Sequence, residues 1–158
     1  MKKRLEIELF EEHPNVNIFT IRFKNESSEI EKFLDKFPIG CKYERDIDII
    51  IKVLDNIGKR GALERYFRYE GKFRDNVFAL PVEAIDLRLY VIRISDNILI
   101  LGNGDIKKTK RYNEDPELNN IVKQLQTIDR LLKIKVQQGL IRIVGKKLLG
   151  KLNFEITL

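Results

Sequence analysis

The sequence is nearly free of cysteine and histidine, with Cys41 and His13 the only ones among 158 residues. A lone cysteine excludes an internal disulfide and fits the reducing cytoplasm, where we expect the protein to act. One cysteine and one histidine cannot supply the ligands of a structural zinc site. A Cys/His nucleophile pair is also disfavoured, because the sequence offers no third group to orient His13. We therefore expect no metal and no cofactor.

Long apolar runs and linkers are missing as well. No run reaches the length of about 18 apolar residues that predicts a membrane span. The basic start, Met1–Arg4, is not followed by an apolar region, so no signal peptide is expected. The chain has no Pro/Ser-rich linker and no clear repeat, and 43% of its residues are hydrophobic, enough for a packed core. These features predict a single domain over residues 1–158.

Positive charge is plentiful, with 30 Lys and Arg against 24 Asp and Glu. It concentrates in residues 59–74, where Tyr66, Phe67, Tyr69 and Phe73 alternate with cations, and again in residues 107–111. This mixture is typical of proteins that bind RNA or single strands, because cations meet phosphates while rings stack on bases. The candidate RNA contacts are Arg65, Arg68, Lys72, Arg74, Lys107, Lys110 and Arg111. A core position for the rings with solvated charges, or an acidic protein partner, would explain the same pattern.

The most regular stretch is Asp86–Leu101, two apolar runs on either side of Ser95–Asn97. A short turn between apolar runs predicts a β-hairpin. Alternation along the first strand places Arg88 and Tyr90 on one face and Arg93 on the other. Because both strands are apolar on both faces, we expect them to be central in the sheet.

The remaining pattern predicts the element order ββα, α, loop, βββ, α, ββ. Strands are indicated at Leu5–Phe10 and Val16–Phe23, and Ser28 with Glu31 has the spacing of a capping box. A helix is predicted from Asp46 to a glycine C-cap at Gly58, and another begins at Asp115. Leu140–Val144 and Lys151–Leu158 are expected to pair as the last strands. The fold class is α+β, a central antiparallel sheet, mixed at most, with helices packed on one face.

Residues 46–112 follow a pattern that resembles the RelE/ParE toxin superfamily, in particular its HigB-type members. A helix ends at a glycine, a basic link Arg65–Lys72 follows, and three strands include the arginine strand Leu87–Arg93. The apolar strand Ile98–Leu101 then leads through a short loop to Lys107-Lys108-Thr109. The resemblance implies a RelE-like core over residues 46–132, with β-rich extensions at 1–40 and 140–158.

The resemblance implies a toxin of a toxin–antitoxin system that cuts mRNA in the ribosomal A site, with RNA, the ribosome and a cognate antitoxin as partners. Such cleavage activates a ribose 2′-OH against the adjacent phosphate and stabilises the charge that develops. In these roles Arg88 would stabilise transition-state charge, Lys107 and Lys108 would hold the phosphate, and Tyr112 would carry a proton. The catalytic candidates are thus Arg88, Lys108 and Tyr112.

The chain departs from HigB-type members in its histidine. His13 lies outside the matching segment, so only Asp105 and the tyrosines are near enough to replace a catalytic histidine. The alternative hypothesis is a binding module without catalysis, either a ParE-like gyrase inhibitor or a basic protein that binds nucleic acid or an acidic partner.

Overall fold

A computed structural model describes residues 1–69 and 75–158 of the chain. Within them the α-helices are α1 (Glu29–Lys36), α2 (Glu44–Arg60) and α3 (Pro116–Gln137), and short 3₁₀ turns cover Glu64–Tyr66 and Tyr112–Glu114. The strands are β1 (Lys2–Glu12), β2 (Asn17–Phe23), β3 (Arg68–Tyr69), β4 (Val77–Leu80), β5 (Leu87–Ser95), β6 (Ile98–Ile106), β7 (Ile141–Val144), β8 (Lys147–Gly150) and β9 (Asn153–Thr157). Among these helices, none has the length and apolar character needed to cross a membrane.

Seven strands form one mixed sheet in the order β3-β4-β5-β6-β2-β1-β9, and β7 pairs with β8 in a separate hairpin. The pair β2–β6 is parallel, whereas the other pairs of the described sheet are antiparallel. The α+β class and the mostly antiparallel sheet are therefore confirmed. The predicted succession of β4, β5 and β6 as neighbours is also confirmed.

The expectation that helices cover one face of the sheet is wrong. Helices α1 and α2 pack on one face, where Phe33 and Ile50 share a buried core with Leu99 and Leu101, and we call this the α1/α2 side. Helix α3 packs on the other, the α3 side, with Leu125 and Ile128 among the core residues that include Ile92 and Ile100. The physical reason is already visible in β5 and β6: strands that are apolar on both faces need cover on both.

Two predicted boundaries also need correction. Helix α2 begins at Glu44 rather than Asp46 and continues past Gly58 to Arg60, and the glycine with a positive φ of 100° at its end is Gly61. Gly58 has a different role, because a Cβ there would lie 2.6 Å from Cε1 of His13 and the imidazole ring would have to move. The sequence thus predicted the correct helix, but Gly58, the predicted C-cap, lies within the helix and beside the His13 ring.

The C-terminal strands pair differently from the prediction. Ile141–Val144 pairs across Gly145 with Lys147–Gly150, and this second strand was not predicted from the sequence. Asn153–Thr157 instead pairs antiparallel with β1, where Lys2 lies opposite Thr157. This arrangement buries Phe154 and Ile156 in the core on the α3 side. Strands β1, β2 and β9, from the two ends of the chain, thus belong to the same sheet as β4, β5 and β6, whereas β7 and β8 do not.

Helix α3 begins as predicted. The Asp115 carboxylate accepts hydrogen bonds from the backbone N–H groups of Glu117 and Leu118, and proline occupies the first turn. Farther along, Asp129 is 2% exposed and accepts hydrogen bonds from the backbone N–H of Asn76 at 3.0 Å and from its side-chain amide at 3.2 Å. This buried carboxylate ties α3 to the start of β4.

Candidate nucleic-acid interface

Arg88 lies near the start of β5, opposite Asp105 on β6. Tyr90, two residues along, belongs to the core on the α3 side, whereas Arg93 donates from Nε to the Ala62 carbonyl on the α1/α2 side at 2.6 Å. The predicted placement of Tyr90 and Arg93 on opposite faces of the sheet is therefore confirmed. Arg88 itself is only 6% exposed, and its Nη1 donates to the backbone carbonyls of Ile85 and Leu87. These bonds hold the segment that enters β5.

Arg68 contacts the same connecting segment from β3. It lies opposite Ala79, a core residue of the α3 side. Its Nη2 donates to the Val82 carbonyl at 2.6 Å. Two cations that the sequence assigned to RNA binding or catalysis, Arg68 and Arg88, thus bond carbonyls in the connection between β4 and β5. These contacts give both arginines a structural role in that connection.

Residues 107–111 follow β6 at the end of the sheet where Arg88 lies. The backbone N–H of Lys107 donates to the Asp86 carbonyl at 2.8 Å, so the segment starts beside the entry to β5. The Lys107 side chain is half-buried, whereas Lys108, Lys110 and Arg111 are exposed. Within residues 1–69 and 75–158, none of these three exposed cations forms an ion pair. Their charge is available to an anionic partner.

The two candidates for proton transfer have neighbours that limit that role. Tyr112 is half-buried and its ring packs against the core on the α3 side. The Asp105 carboxylate lies 3.6 Å from Nζ of Lys36, which also donates to the Gly104 carbonyl at 2.8 Å. Asp105 is therefore part of a contact that ties α1 to the end of β6.

The other predicted RNA contacts do not join this segment. Arg65 is exposed in the 3₁₀ turn after α2. That turn is anchored at the opposite end of the sheet, because the Ala62 N–H donates to the carbonyl of Asp96 in the β5–β6 turn at 2.7 Å. The predictions for Lys72 and Arg74 fall outside the described residues. The basic residues therefore form two separate regions, one at each end of β5 and β6.

Around the start of α1, in contrast, the basic side chains are paired with carboxylates. Arg22 pairs with Glu8 and Glu31 at 2.9 Å each. Lys32 pairs with Glu29 at 2.8 Å and also with Glu26. The hydrogen bond from Lys32 holds the pKa of Glu26 below its usual value. Cations at this helix are neutralised within the protein, in contrast to those of residues 107–111.

One contact that was not predicted from the sequence joins Arg65 to the phenol of the adjacent Tyr66. Arg65 lies 3.5 Å from the phenol oxygen, and together with Arg60 it lowers the pKa of Tyr66. Sequence spacing does not show whether the side chains of adjacent residues such as Arg65 and Tyr66 contact each other, so this contact could not be predicted.

Comparisons with known proteins add no identification. No family model, curated protein or solved structure matches the chain. The function is therefore inferred from the geometry of the two basic regions.

Proposed function

We propose that the protein binds single-stranded RNA through the exposed cations of residues 107–111. The observation that carries this proposal is the contrast in charge pairing. Lys108, Lys110 and Arg111 are exposed without an ion pair in the described part of the chain, whereas the cations around α1 are matched by carboxylates. Unpaired cations close together in sequence are suited to contact successive phosphates.

The position of Arg88 favours binding over catalysis. A group that stabilises transition-state charge must reach the reacting phosphate. Arg88 is 6% exposed and donates to two backbone carbonyls, so its contacts support a structural role. Cleavage of mRNA on the ribosome and control by an antitoxin, which the family resemblance implies, stay predictions. These two predictions add a specific activity and a specific protein partner to the proposed RNA binding.

The binding test uses fluorescence anisotropy with a labelled single-stranded RNA over a range of salt concentrations. If about five phosphates are neutralised, log affinity should fall against log salt with a slope near −3.5. The variant Lys108→Gln, Lys110→Gln, Arg111→Gln should bind more weakly, with a slope reduced in magnitude by about 2. A duplex DNA of the same length should bind less tightly than the RNA.

The matched control removes the same charge elsewhere, with Lys52→Gln, Arg130→Gln and Lys147→Gln at exposed positions on α2, α3 and β8. It should keep most of the affinity and nearly the original slope. Equal losses in the two triple variants, or no RNA binding at about 50 mM salt, would contradict the proposal. Incubating the wild-type protein with translating ribosomes tests the cleavage hypothesis separately, since binding without cut mRNA would reject it.

A further inference from the structure

The C-terminal part of the chain contains a long stretch without a carboxylate. Residues 130–152 hold seven Lys and Arg residues and no Asp or Glu. The stretch covers the end of α3 and the hairpin of β7 and β8, which lies outside the seven-stranded sheet. Positive charge therefore collects on an element that most of the sheet does not share.

The register of the hairpin divides its side chains between two faces. Ile141 and Leu148 belong to the core on the α3 side and define the inner face. Beyond β7 and β8, the N–H of Lys151 donates to the Leu140 carbonyl at 3.1 Å, which extends the ladder by one pair. Directly opposed residues share a face, and successive residues alternate between faces. The outer face therefore consists of three pairs, each with one apolar and one cationic member: Leu140/Lys151, Arg142/Leu149 and Val144/Lys147.

The apolar and the cationic members of this outer face are both in contact with water. Leu140 is 47% exposed and Val144 is 52% exposed. Arg142, Lys147 and Lys151 are exposed, and over residues 1–69 and 75–158 they form no ion pair. A partner can therefore reach both kinds of side chain.

Other cations of the same stretch are used within the protein and hold the hairpin in place. Nζ of Lys146, in the turn between β7 and β8, donates to the His13 carbonyl at 2.7 Å and lies 3.7 Å from Oε1 of Glu12. The ammonium group of Lys135 lies 4.8 Å from the centre of the Phe154 ring. Because the hairpin is fastened at its turn and packed on the core, a partner binds its outer face without the cost of ordering it.

We propose that the outer face of this hairpin binds the surface of a membrane that contains anionic lipids. Each pair can place its apolar side chain at the boundary between headgroups and acyl chains, while its cation extends to a lipid phosphate. A nucleic acid would contact the cations but leave Leu140 and Val144 in water. A helical peptide would bury a continuous apolar stripe, whereas apolar and cationic side chains alternate across this face. Lipids are separate molecules with their own charges and chains, so a bilayer matches the alternating pattern.

The strength of such a contact follows from its two parts. Each cation near an anionic surface increases partitioning about fivefold, so three cations give roughly a hundredfold. Partial insertion of Leu140 and Val144 adds roughly tenfold. Neither part alone attaches a protein stably, so the contact is peripheral and reversible, and it weakens as the salt concentration rises.

Sedimentation with lipid vesicles measures this partitioning. The intact chain should bind vesicles of phosphatidylcholine with about one third phosphatidylserine, and bind pure phosphatidylcholine much more weakly. Arg142→Gln, Lys147→Gln and Lys151→Gln together should reduce binding to the anionic vesicles roughly a hundredfold. Leu140→Ser with Val144→Ser should reduce it roughly tenfold although no charge changes.

Two control variants remove similar groups elsewhere. Lys108→Gln, Lys110→Gln and Arg111→Gln remove the same charge from the proposed RNA surface and should leave most of the vesicle binding in place. Ile39→Ser removes an apolar side chain that is 93% exposed between α1 and α2, and should have no effect. Far-UV circular dichroism confirms that each variant is folded. Equal binding to neutral and anionic vesicles, or equal losses in the two charge variants, would overturn the proposal.

Tryptophan fluorescence tests insertion directly, because the sequence contains no tryptophan. With anionic vesicles, the emission of Val144→Trp should move to shorter wavelength and should be quenched by lipids brominated on their acyl chains. Ile39→Trp should show neither change. An emission of Val144→Trp that stays constant on vesicles that bind the protein would place the contact elsewhere and overturn the proposal.

RNA binding by the same variants separates a membrane surface from a nucleic-acid surface. The three hairpin cation substitutions should leave the RNA affinity nearly unchanged while vesicle binding is lost. Weakened RNA binding together with unchanged vesicle binding would show that the face binds nucleic acid and that the membrane proposal is wrong. The variant at Lys108, Lys110 and Arg111 tests the RNA surface independently, so the two proposals can fail separately.

Discussion

At the scale of single residues, Arg88 shows how a buried cation can serve structure. Its guanidinium bonds the carbonyls of Ile85 and Leu87, the latter at 2.9 Å. Carbonyls excluded from water need a donor, and a charged donor forms a stronger bond than a neutral one. The alternation of β5 predicted the opposite placement of Tyr90 and Arg93 but not the partners of Arg88. The carbonyl partners were not predictable, because they lie in an irregular connection where carboxylates such as Glu83 and Asp86 were equally plausible partners.

We predict that Arg88→Met lowers the free energy of unfolding by roughly 2–4 kcal/mol, because the buried carbonyl of Leu87 and the partly buried carbonyl of Ile85 lose a charged donor. Urea unfolding followed by far-UV circular dichroism measures the change. Lys108→Met is the control at an exposed position and should stay within about 0.5 kcal/mol of the wild type. An Arg88→Met variant as stable as this control but defective in RNA binding would instead show that Arg88 serves the RNA site.

At the scale of elements, the eight-residue helix α1 depends on its first turn. The Ser28 hydroxyl accepts a hydrogen bond from the backbone N–H of Glu31 at 3.3 Å. In return, Oε1 of Glu31 accepts from the Ser28 hydroxyl at 2.7 Å and from the backbone N–H of Ser28 at 3.3 Å. The hydrogen bond from the Ser28 hydroxyl is the largest cause that lowers the pKa of Glu31, and Arg22 lowers it further. Because a short helix is marginal alone, these contacts fix where α1 starts.

This lowered pKa gives stability a dependence on pH with a definite sign. A carboxylate whose pKa is lower in the folded state stabilises the protein above its unfolded value, here near 4.5, and loses that effect as the pH falls through the folded value. We therefore predict that Glu31→Gln lowers the urea midpoint at neutral pH. The difference from the wild type should narrow as the pH falls below 4.5 and through the lowered pKa of Glu31, where the carboxylate becomes protonated.

The control for this prediction is Asp35→Asn, which removes an exposed carboxylate of the same helix. Asp35 forms no ion pair within the described residues, so its substitution should change the midpoint little at either pH. A Glu31→Gln deficit that stays constant as the pH is lowered until acid unfolds the wild type would show that the charge of Glu31 is not the source of the effect.

Local patterns also explain which elements could be predicted. The Ser28/Glu31 spacing, the Asp115-Pro116 start of α3 and the turn between β5 and β6 are short-range signals, and the structure confirms all three. The parallel pairing of β2 with β6 joins strands far apart in sequence, for which a single sequence carries no direct signal. The same holds for β9, whose partner β1 lies at the other end of the chain.

The candidate functional sites also differ in how far the sequence could predict them. Exposure of Lys108, Lys110 and Arg111 follows from a charge run in a connecting segment, so the sequence indicated it. The contact between Arg65 and the phenol of Tyr66 depends on side-chain positions in the 3₁₀ turn, which residue spacing does not show. The sequence therefore predicted a continuous charged segment better than an individual side-chain contact.

At the scale of the whole molecule, β5 and β6 join two cores. Leu99 belongs to the core on the α1/α2 side and Ile92 to the core on the α3 side, and both are 0% exposed. Because alternate residues of the same central strands line the two cores, disruption of either strand removes the support of both layers. The two sides should therefore unfold together.

We predict that Leu99→Asp and Ile92→Asp each destabilise α2 and α3 to the same extent. An unpaired buried carboxylate costs several kcal/mol, about half of a typical domain's stability. Native-state hydrogen exchange of amides in the two helices measures this, with Val144→Asp at an exposed position of β7 as the control. If Ile92→Asp releases α3 while α2 keeps its protection, the two sides are separate folding units. Loss of protection in both helices would instead show that the shared strands make the molecule one cooperative unit.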